Sequence, residues 1–154
     1  MIVSMYLYNK KVLKKSILWI LDRVVIACAS GAIFIRIGNF FNSEIIGKPA
    51  EEGLPWAVVF KNIDNIPRHP GQLYEAFGYL FVFLIVYFIY WKTKKGTQEG
   101  YLFGLFLLLL MTVRVFVEQF KIAQVDGRED WILGFNTGQI LSIPFILIGV
   151  YFMF

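Results

Sequence analysis

Apolar residues fall into four long runs, and the polar residues gather between them. The runs cover about 16–38, 72–91, 100–120 and 138–154. A helix crosses the hydrocarbon core of a bilayer in roughly 20 mostly apolar residues. The pattern therefore predicts an all-α polytopic membrane protein with four transmembrane helices in a single membrane domain over residues 1–154. Residues 1–8 read as the stub of a preceding helix, too short to span. Between the first two runs, Gly47, Pro49, Gly53, Pro55 and Pro67 predict a succession of turns, with a short strand at residues 57–60. At about 41–70 this segment is long for a simple connection and predicts a small outward-facing cap. Residues 121–137 form the second outward segment.

Composition supports the same class. Of 154 residues, 58% are apolar and 17% charged, against about 45–50% and 25% in ordinary soluble domains. Mean hydropathy is +0.63. Helices of a small soluble domain need polar faces to wet its surface, and these runs lack them. The net charge of +4 does not indicate nucleic acid, because the lysines cluster beside the apolar runs. Lys10, Lys11, Lys14 and Lys15 precede the first run, and Lys92, Lys94 and Lys95 follow the second. The positive-inside rule puts both clusters in the cytoplasm, which also leaves the C-terminus cytoplasmic. Asp22 and Arg23 read as an anchor at that end of the first helix. The single cysteine, Cys28, excludes an internal disulfide and a cysteine-built metal cluster. It lies among Ala27, Ala29, Ser30, Gly31 and Ala32, a small-residue patch suited to helix packing.

The residues that carry chemistry are the polar groups at membrane depth. A charge at the bilayer centre costs about 2.5–3.5 kcal/mol even on insertion scales, so such residues face a bundle interior or a wet cavity. Arg36 ends the first apolar run, and Asn39 lies on the same helical face three residues on. Asn42 and Glu44 follow, with Gly38 placed to loosen the helix or admit a ligand close to the backbone. The same spacing also suits an arginine reaching the outer headgroups above capping asparagines, and the spacing leaves both readings open. Arg114 shares a face with Glu118 and Lys121 in the third run. Either this is an internal ion pair that eases insertion, or an arginine held ready for an anion. Arginine suits phosphate because its planar fork makes two parallel charge-assisted bonds. Two arginines near one leaflet point to a phospholipid headgroup. Arg68-His69-Pro70-Gly71-Gln72-Leu73-Tyr74-Glu75 opens the second run, with Pro70 at a normal helix-start position. His69 is the only histidine, and at an interface it serves as a hydrogen-bonding residue or as a base.

No nucleotide-binding or hydrolase fingerprint accompanies these groups. The residues taken by themselves thus reach a polytopic protein with an outward-facing anionic-ligand site.

Four stretches nonetheless share one family's pattern. Arg36-Ile37-Gly38-Asn39-Phe40-Phe41-Asn42-Ser43-Glu44, followed by Gly47, resembles the signature of the prolipoprotein diacylglyceryl transferases. His69-Pro70-Gly71-Gln72-Leu73-Tyr74-Glu75 resembles a second motif of that family. Arg114 with Glu118 resembles a third, and Gly138-Gln139-Ile140-Leu141-Ser142-Ile143-Pro144 resembles the start of the family's last helix. Their order and spacing agree over essentially the whole chain. The resemblance implies transfer of the diacylglyceryl group of phosphatidylglycerol to the lipobox cysteine thiol of preprolipoproteins, with glycerol 1-phosphate leaving. It implies the bacterial inner membrane as the location and no metal or organic cofactor. Arg36 and Arg114 would carry catalysis by binding lipid phosphate and stabilising the leaving group. Asn39, Asn42 and Glu44 would shape the headgroup pocket. His69, Gln72, Tyr74 and Glu75 would line its entrance, and Glu118 would orient Arg114 or Lys121.

The chain also departs from that pattern. Ile35 replaces a common glycine, Gly71 the usual serine, Lys121 a frequent arginine, and Leu110 a tyrosine of some members. Family members are longer, and their N-terminal half carries a histidine–glycine–glycine motif whose histidine is a candidate base. No such motif occurs here, so the chain resembles the C-terminal half, with His69 as a substitute base. Two other classes stay open: a non-catalytic lipid-binding or assembly subunit of the same fold, and a small transporter or channel subunit.

Overall fold

The computed structural model describes residues 2–120 and 137–154. Expectations for Lys121 and for residues 121–136 lie outside the described residues. The chain opens with a short helix, α1 (Ile2–Tyr8), which runs into a π-helical turn at Asn9–Leu13. Lys14, at φ 52°, ends that turn. Ser16 then caps α2 (Ile17–Phe41) by accepting from the Trp19 N–H at 3.1 Å. After the cap segment come α3 (Gly71–Lys92), α4 (Tyr101–Val117) and α5 (Thr137–Met153).

The four long helices coincide with the four apolar runs, but they are unequal. Only α2, with 25 residues, and α3, with 22, are long and apolar enough to be candidate membrane spans. At 1.5 Å per residue they measure about 37 and 33 Å, against a hydrocarbon core of about 30 Å. α4 and α5 are apolar helices of 17 residues each, and a tight turn at Glu118–Phe120 prolongs α4. The structure thus gives two candidate spans and two shorter apolar helices where the sequence pattern predicts four spans. Gly38 does not loosen α2: the helix runs through it to Phe41, so Arg36 sits inside the helix rather than at its end.

α3 packs on α2 and α4, and α5 packs on α4. Val25, Val82, Val86 and Leu102 form the buried apolar centre of α2, α3 and α4. Outside it, Phe34, Phe77, Phe88, Leu147 and Tyr151 are exposed. The closest helix contact is between α4 and α5. A Cβ added at Gly104 would lie 2.5 Å from the Gly149 carbonyl oxygen, and one at Gly149 would lie 2.7 Å from that of Gly104. Only glycine permits two backbones to meet this closely. The predicted small-residue patch is a weaker seam: Ala29 is buried, but Cys28 is exposed and a Cβ on Gly31 would meet open space.

Between α2 and α3 the chain forms the expected cap. β1 (Val58–Val59) lies within the predicted strand and pairs antiparallel with β2 (Pro67–Arg68). Phe60 is buried and meets Phe40 of α2 edge to face. The buried Arg68 ion-pairs with Asp64 at 2.6 Å and donates to the Gly47 carbonyl at 3.2 Å. The cap is tied to the end of α4 through Lys48 N–H and Phe120 O at 2.7 Å. Gly47 is wedged there: a Cβ would collide with the His69 and Phe120 carbonyls. That close approach accounts for a glycine at this position.

Candidate functional site

Arg36 organises the polar groups at the cap end of the helices. Its Nε lies 2.7 Å from Glu75 Oε2, and the Glu75 side chain is fully buried while that of Arg36 is 18% exposed. Glu75 therefore does not line an entrance, as its motif implies. It is the buried counter-ion of Arg36, placed on the inner face of α3 one turn after the helix begins. In the amide orientation that satisfies its neighbours, Asn39 accepts from Arg36 Nη1 at 3.1 Å and donates to Glu44 Oε2 at 3.2 Å. The helical spacing of Arg36 and Asn39 becomes a real contact in this way. Gln72, also buried, donates to the Glu44 backbone carbonyl at 2.7 Å. Asn42 closes α2 instead, exposed, with its N–H bonded to the Gly38 carbonyl at 3.0 Å.

The turn carrying Glu44 is strained. Ser43 and Ile45 have φ of 55° and 54°, a region costly for a β-branched residue. The bond from the Glu44 N–H to the Asn39 carbonyl at 2.9 Å, the bond from Gln72 and the Gly47 wedge hold this turn in place.

Tyr79 joins the cluster, and the sequence reading did not single it out. It is 3% exposed and four residues beyond Glu75, so both occupy one face of α3. It lies within electrostatic reach of Glu75, Arg36 and Arg114. The i, i+4 relation to an acid in an apolar run is the available signal, masked by the many aromatics nearby. Arg114 approaches from α4, where the preceding Val113 meets Gly78 of α3. Two buried polar atoms, Arg114 Nε and Gln72 Oε1, have no hydrogen-bond partner among the described residues. Glu118 is buried one turn past Arg114.

His69 and Tyr74 form a second group under the cap. His69 Nδ1 lies 3.0 Å from the Tyr74 hydroxyl, which also accepts from Trp56 Nε1 at 2.8 Å. Both rings touch Phe120. This group fastens the cap to α3 and α4. The Asp64 carboxyl in the cap is held below its ordinary value, first by its hydrogen bonds from Arg68.

At the opposite, lysine-rich end lies a third polar feature. Asp22 is 1% exposed and accepts from the backbone N–H groups of Gly100 at 2.8 Å and Phe103 at 2.9 Å. It is not the interfacial anchor predicted but a cap on α4, donated from a neighbouring helix to otherwise unsatisfied N–H groups. Arg23 alone keeps the anchoring role, stacked 3.7 Å above the Trp19 ring.

Among the described residues, no three of His, Cys, Asp and Glu converge to hold a metal ion. The cap end thus gathers two arginines, one of them held by Glu75 and Asn39, with a buried donor and a buried acceptor that have no partner among the described residues.

The family model for prolipoprotein diacylglyceryl transferase matches residues 1–154. A protein from Bacteroides fragilis named phosphatidylglycerol–prolipoprotein diacylglyceryl transferase is 45% identical over the whole chain, which covers 54% of that relative. Proteins of the same name from Chloroherpeton thalassium and Tolumonas auensis are each 40% identical over 99% of the chain, covering 56% and 57% of their own lengths. The chain spans about half the length of the curated relatives it matches. These matches bear out the resemblance to the family but not the placement in its C-terminal half.

Proposed function

The chain belongs to the prolipoprotein diacylglyceryl transferase family, and from that premise we propose that it serves diacylglyceryl transfer from phosphatidylglycerol to the lipobox cysteine of preprolipoproteins. The observation that carries this reading is the Arg36 cluster: a guanidinium held by Glu75 and Asn39, with Arg114 nearby. In the reaction, the cysteine sulfur bonds to the diacylglyceryl CH2 carbon. The bond from that carbon to the phosphate oxygen breaks, and its electron pair stays on the departing glycerol 1-phosphate. The thiol proton passes to a base. Negative charge therefore gathers on the phosphate, where fixed N–H donors in a water-poor site are worth most. Arg36 and Arg114 bind that phosphate and steady it as it leaves. Asn39, Asn42, Glu44 and Gln72 shape the headgroup pocket around them, and Glu118 orients Arg114.

The same reading places all four long helices across the bacterial inner membrane, α4 with the turn at Glu118–Phe120 included. The lysine-rich end and the C-terminus then face the cytoplasm, and the cap faces the periplasm. The reaction as written needs no metal or organic cofactor. The relatives' greater length leaves room for further parts of the machinery, among them the base.

The test is transfer of a labelled diacylglyceryl group from phosphatidylglycerol to a lipobox peptide in membranes containing the protein. Arg36→Ala and Arg114→Ala should each reduce the rate by about 100-fold or more, the usual effect of losing one donor to a developing charge. Transfer unchanged by both would contradict the reading. Lipid binding lost with Arg36→Ala, but no transfer by the unaltered protein, would favour a lipid-binding subunit of this fold.

A further inference from the structure

We infer that Gln72 reads the lipid headgroup: its side-chain carbonyl oxygen accepts a hydrogen bond from a neutral hydroxyl on the same phosphodiester that Arg36 binds. The inference rests on the reading just given and narrows it, from any anionic lipid to one whose headgroup carries a hydroxyl.

Gln72 is fully buried, yet only one end of its amide is used. Nε2 donates to the Glu44 backbone carbonyl at 2.7 Å. Oε1 is buried too and has no hydrogen-bond partner among the described residues. With the nitrogen fixed on Glu44, the amide cannot swing its oxygen to another protein group without breaking that bond. A buried acceptor left open is costly, whereas an apolar side chain of the same shape in its place is nearly neutral. The carbonyl is therefore the feature that a ligand explains.

The open oxygen belongs to the Arg36 cluster. Gln72 and Glu75 lie three residues apart on one face of α3, both buried. Glu75 holds Arg36 Nε at 2.7 Å. Glu44, whose carbonyl takes the Gln72 amide, also accepts from Asn39 at 3.2 Å, and Asn39 accepts from Arg36 Nη1 at 3.1 Å. The contacts run from Gln72 through Glu44, Asn39, Arg36 and Glu75 and return along α3 to Gln72. Arg114 Nε, another buried atom without a partner among the described residues, is a donor, opposite in kind to Gln72 Oε1. A ligand that satisfies this end must therefore offer acceptors to the arginines and a donor to the glutamine. Phosphate oxygens supply the first. An ionised phosphodiester has no proton to give, so the donor comes from the headgroup. A quaternary ammonium has no N–H, and a primary ammonium brings a like charge towards the guanidinium. A hydroxyl donates without charge.

The experiment titrates phosphatidylglycerol and phosphatidylmethanol against the protein in phosphatidylcholine nanodiscs. Both lipids are singly charged phosphodiesters, and only the first carries headgroup hydroxyls. The unaltered protein should bind phosphatidylglycerol more tightly by about fivefold, the value of one neutral hydrogen bond. Gln72→Met, similar in length but without the carbonyl, should lower phosphatidylglycerol binding to the level of phosphatidylmethanol and leave phosphatidylmethanol binding unchanged. An equal loss for both lipids would show that the side chain only holds the Glu44 turn, and would overturn the inference. An unchanged preference in Gln72→Met would overturn it too, as would a loss confined to lipobox-peptide binding. If Gln72→Met does not fold, the unaltered protein decides: a preference for phosphatidylglycerol supports the inference and equal binding overturns it. Arg36→Ala in parallel separates the two readings. If it weakens both lipids while the unaltered protein binds them equally, only the role of Gln72 falls. If it changes neither, the phosphate site itself falls.

Discussion

The two ends of the helix bundle both bury charge, and they treat it differently. At the lysine-rich end, Asp22 has two carboxylate oxygens and two backbone N–H groups to receive, and all of them are matched. Nothing there is left for a ligand. At the cap end, Arg36 and Arg114 bring more donors than the described acceptors use, and among the described residues Arg114 Nε and Gln72 Oε1 have no partner in their buried positions. A buried polar atom without a partner costs about 1–3 kcal/mol. A fold that needed only stability would have satisfied it, as it did at Asp22. On the proposed reading, closure of the hydrogen-bond inventory separates a structural charge from a ligand-binding one, where burial alone does not.

Three substitutions sharpen that contrast, in descending order of effect. Glu75→Ala strips the counter-ion from a largely buried guanidinium and should cost about 3–5 kcal/mol, read as a lower unfolding midpoint in detergent. Phosphatidylglycerol binding should weaken with it, because the arginine loses its orientation. Asp22→Ala frees two N–H groups at the start of α4 and should cost about 1–3 kcal/mol. In the protein that remains folded it should leave lipid preference untouched. Phosphatidylglycerol preference lost in Asp22→Ala at full stability would erase the distinction between the ends. Gly104→Val, also at the lysine-rich end, should cost a similar 1–3 kcal/mol by forcing α4 and α5 apart.

The smallest effect lies in the cap and depends on pH. Asp64 is held below its ordinary value of 3.8 by Arg68. Its pairing thus stabilises the folded cap above the ordinary carboxylate range and is lost as pH falls through the depressed value. The melting-temperature advantage of the unaltered protein over Asp64→Asn should shrink below about pH 4, and salt should weaken it at neutral pH.

Much of this was legible in sequence because it is local. The four apolar runs locate the four long helices, Pro70 marks the start of α3, and clustered prolines and glycines mark the cap. Arg36 and Asn39 were matched correctly because helical spacing alone joins them. Partners distant in sequence were not legible. Arg36 meets Glu75 only when α3 packs on α2. In sequence Asp22 reads as an interfacial anchor, because its partners are backbone N–H groups 78 and 81 residues away, which no side-chain pattern records. Tyr79 is hidden among the chain's 28 aromatic residues, since a phenol in an apolar run looks like belt or core until a charge is found near it. The runs also bound the last two helices: α4 with its terminal turn covers 101–120 and α5 Thr137–Met153, against predicted runs at about 100–120 and 138–154.

The most direct measurement of the contrast is lipid selectivity at its two poles. Phosphatidylglycerol and phosphatidylcholine would be titrated into nanodiscs carrying the unaltered protein, Arg36→Ala and Asp22→Ala. An anion site at the cap end predicts that Arg36→Ala loses at least tenfold in phosphatidylglycerol preference while Asp22→Ala retains it. Equal preference in all three proteins would contradict it.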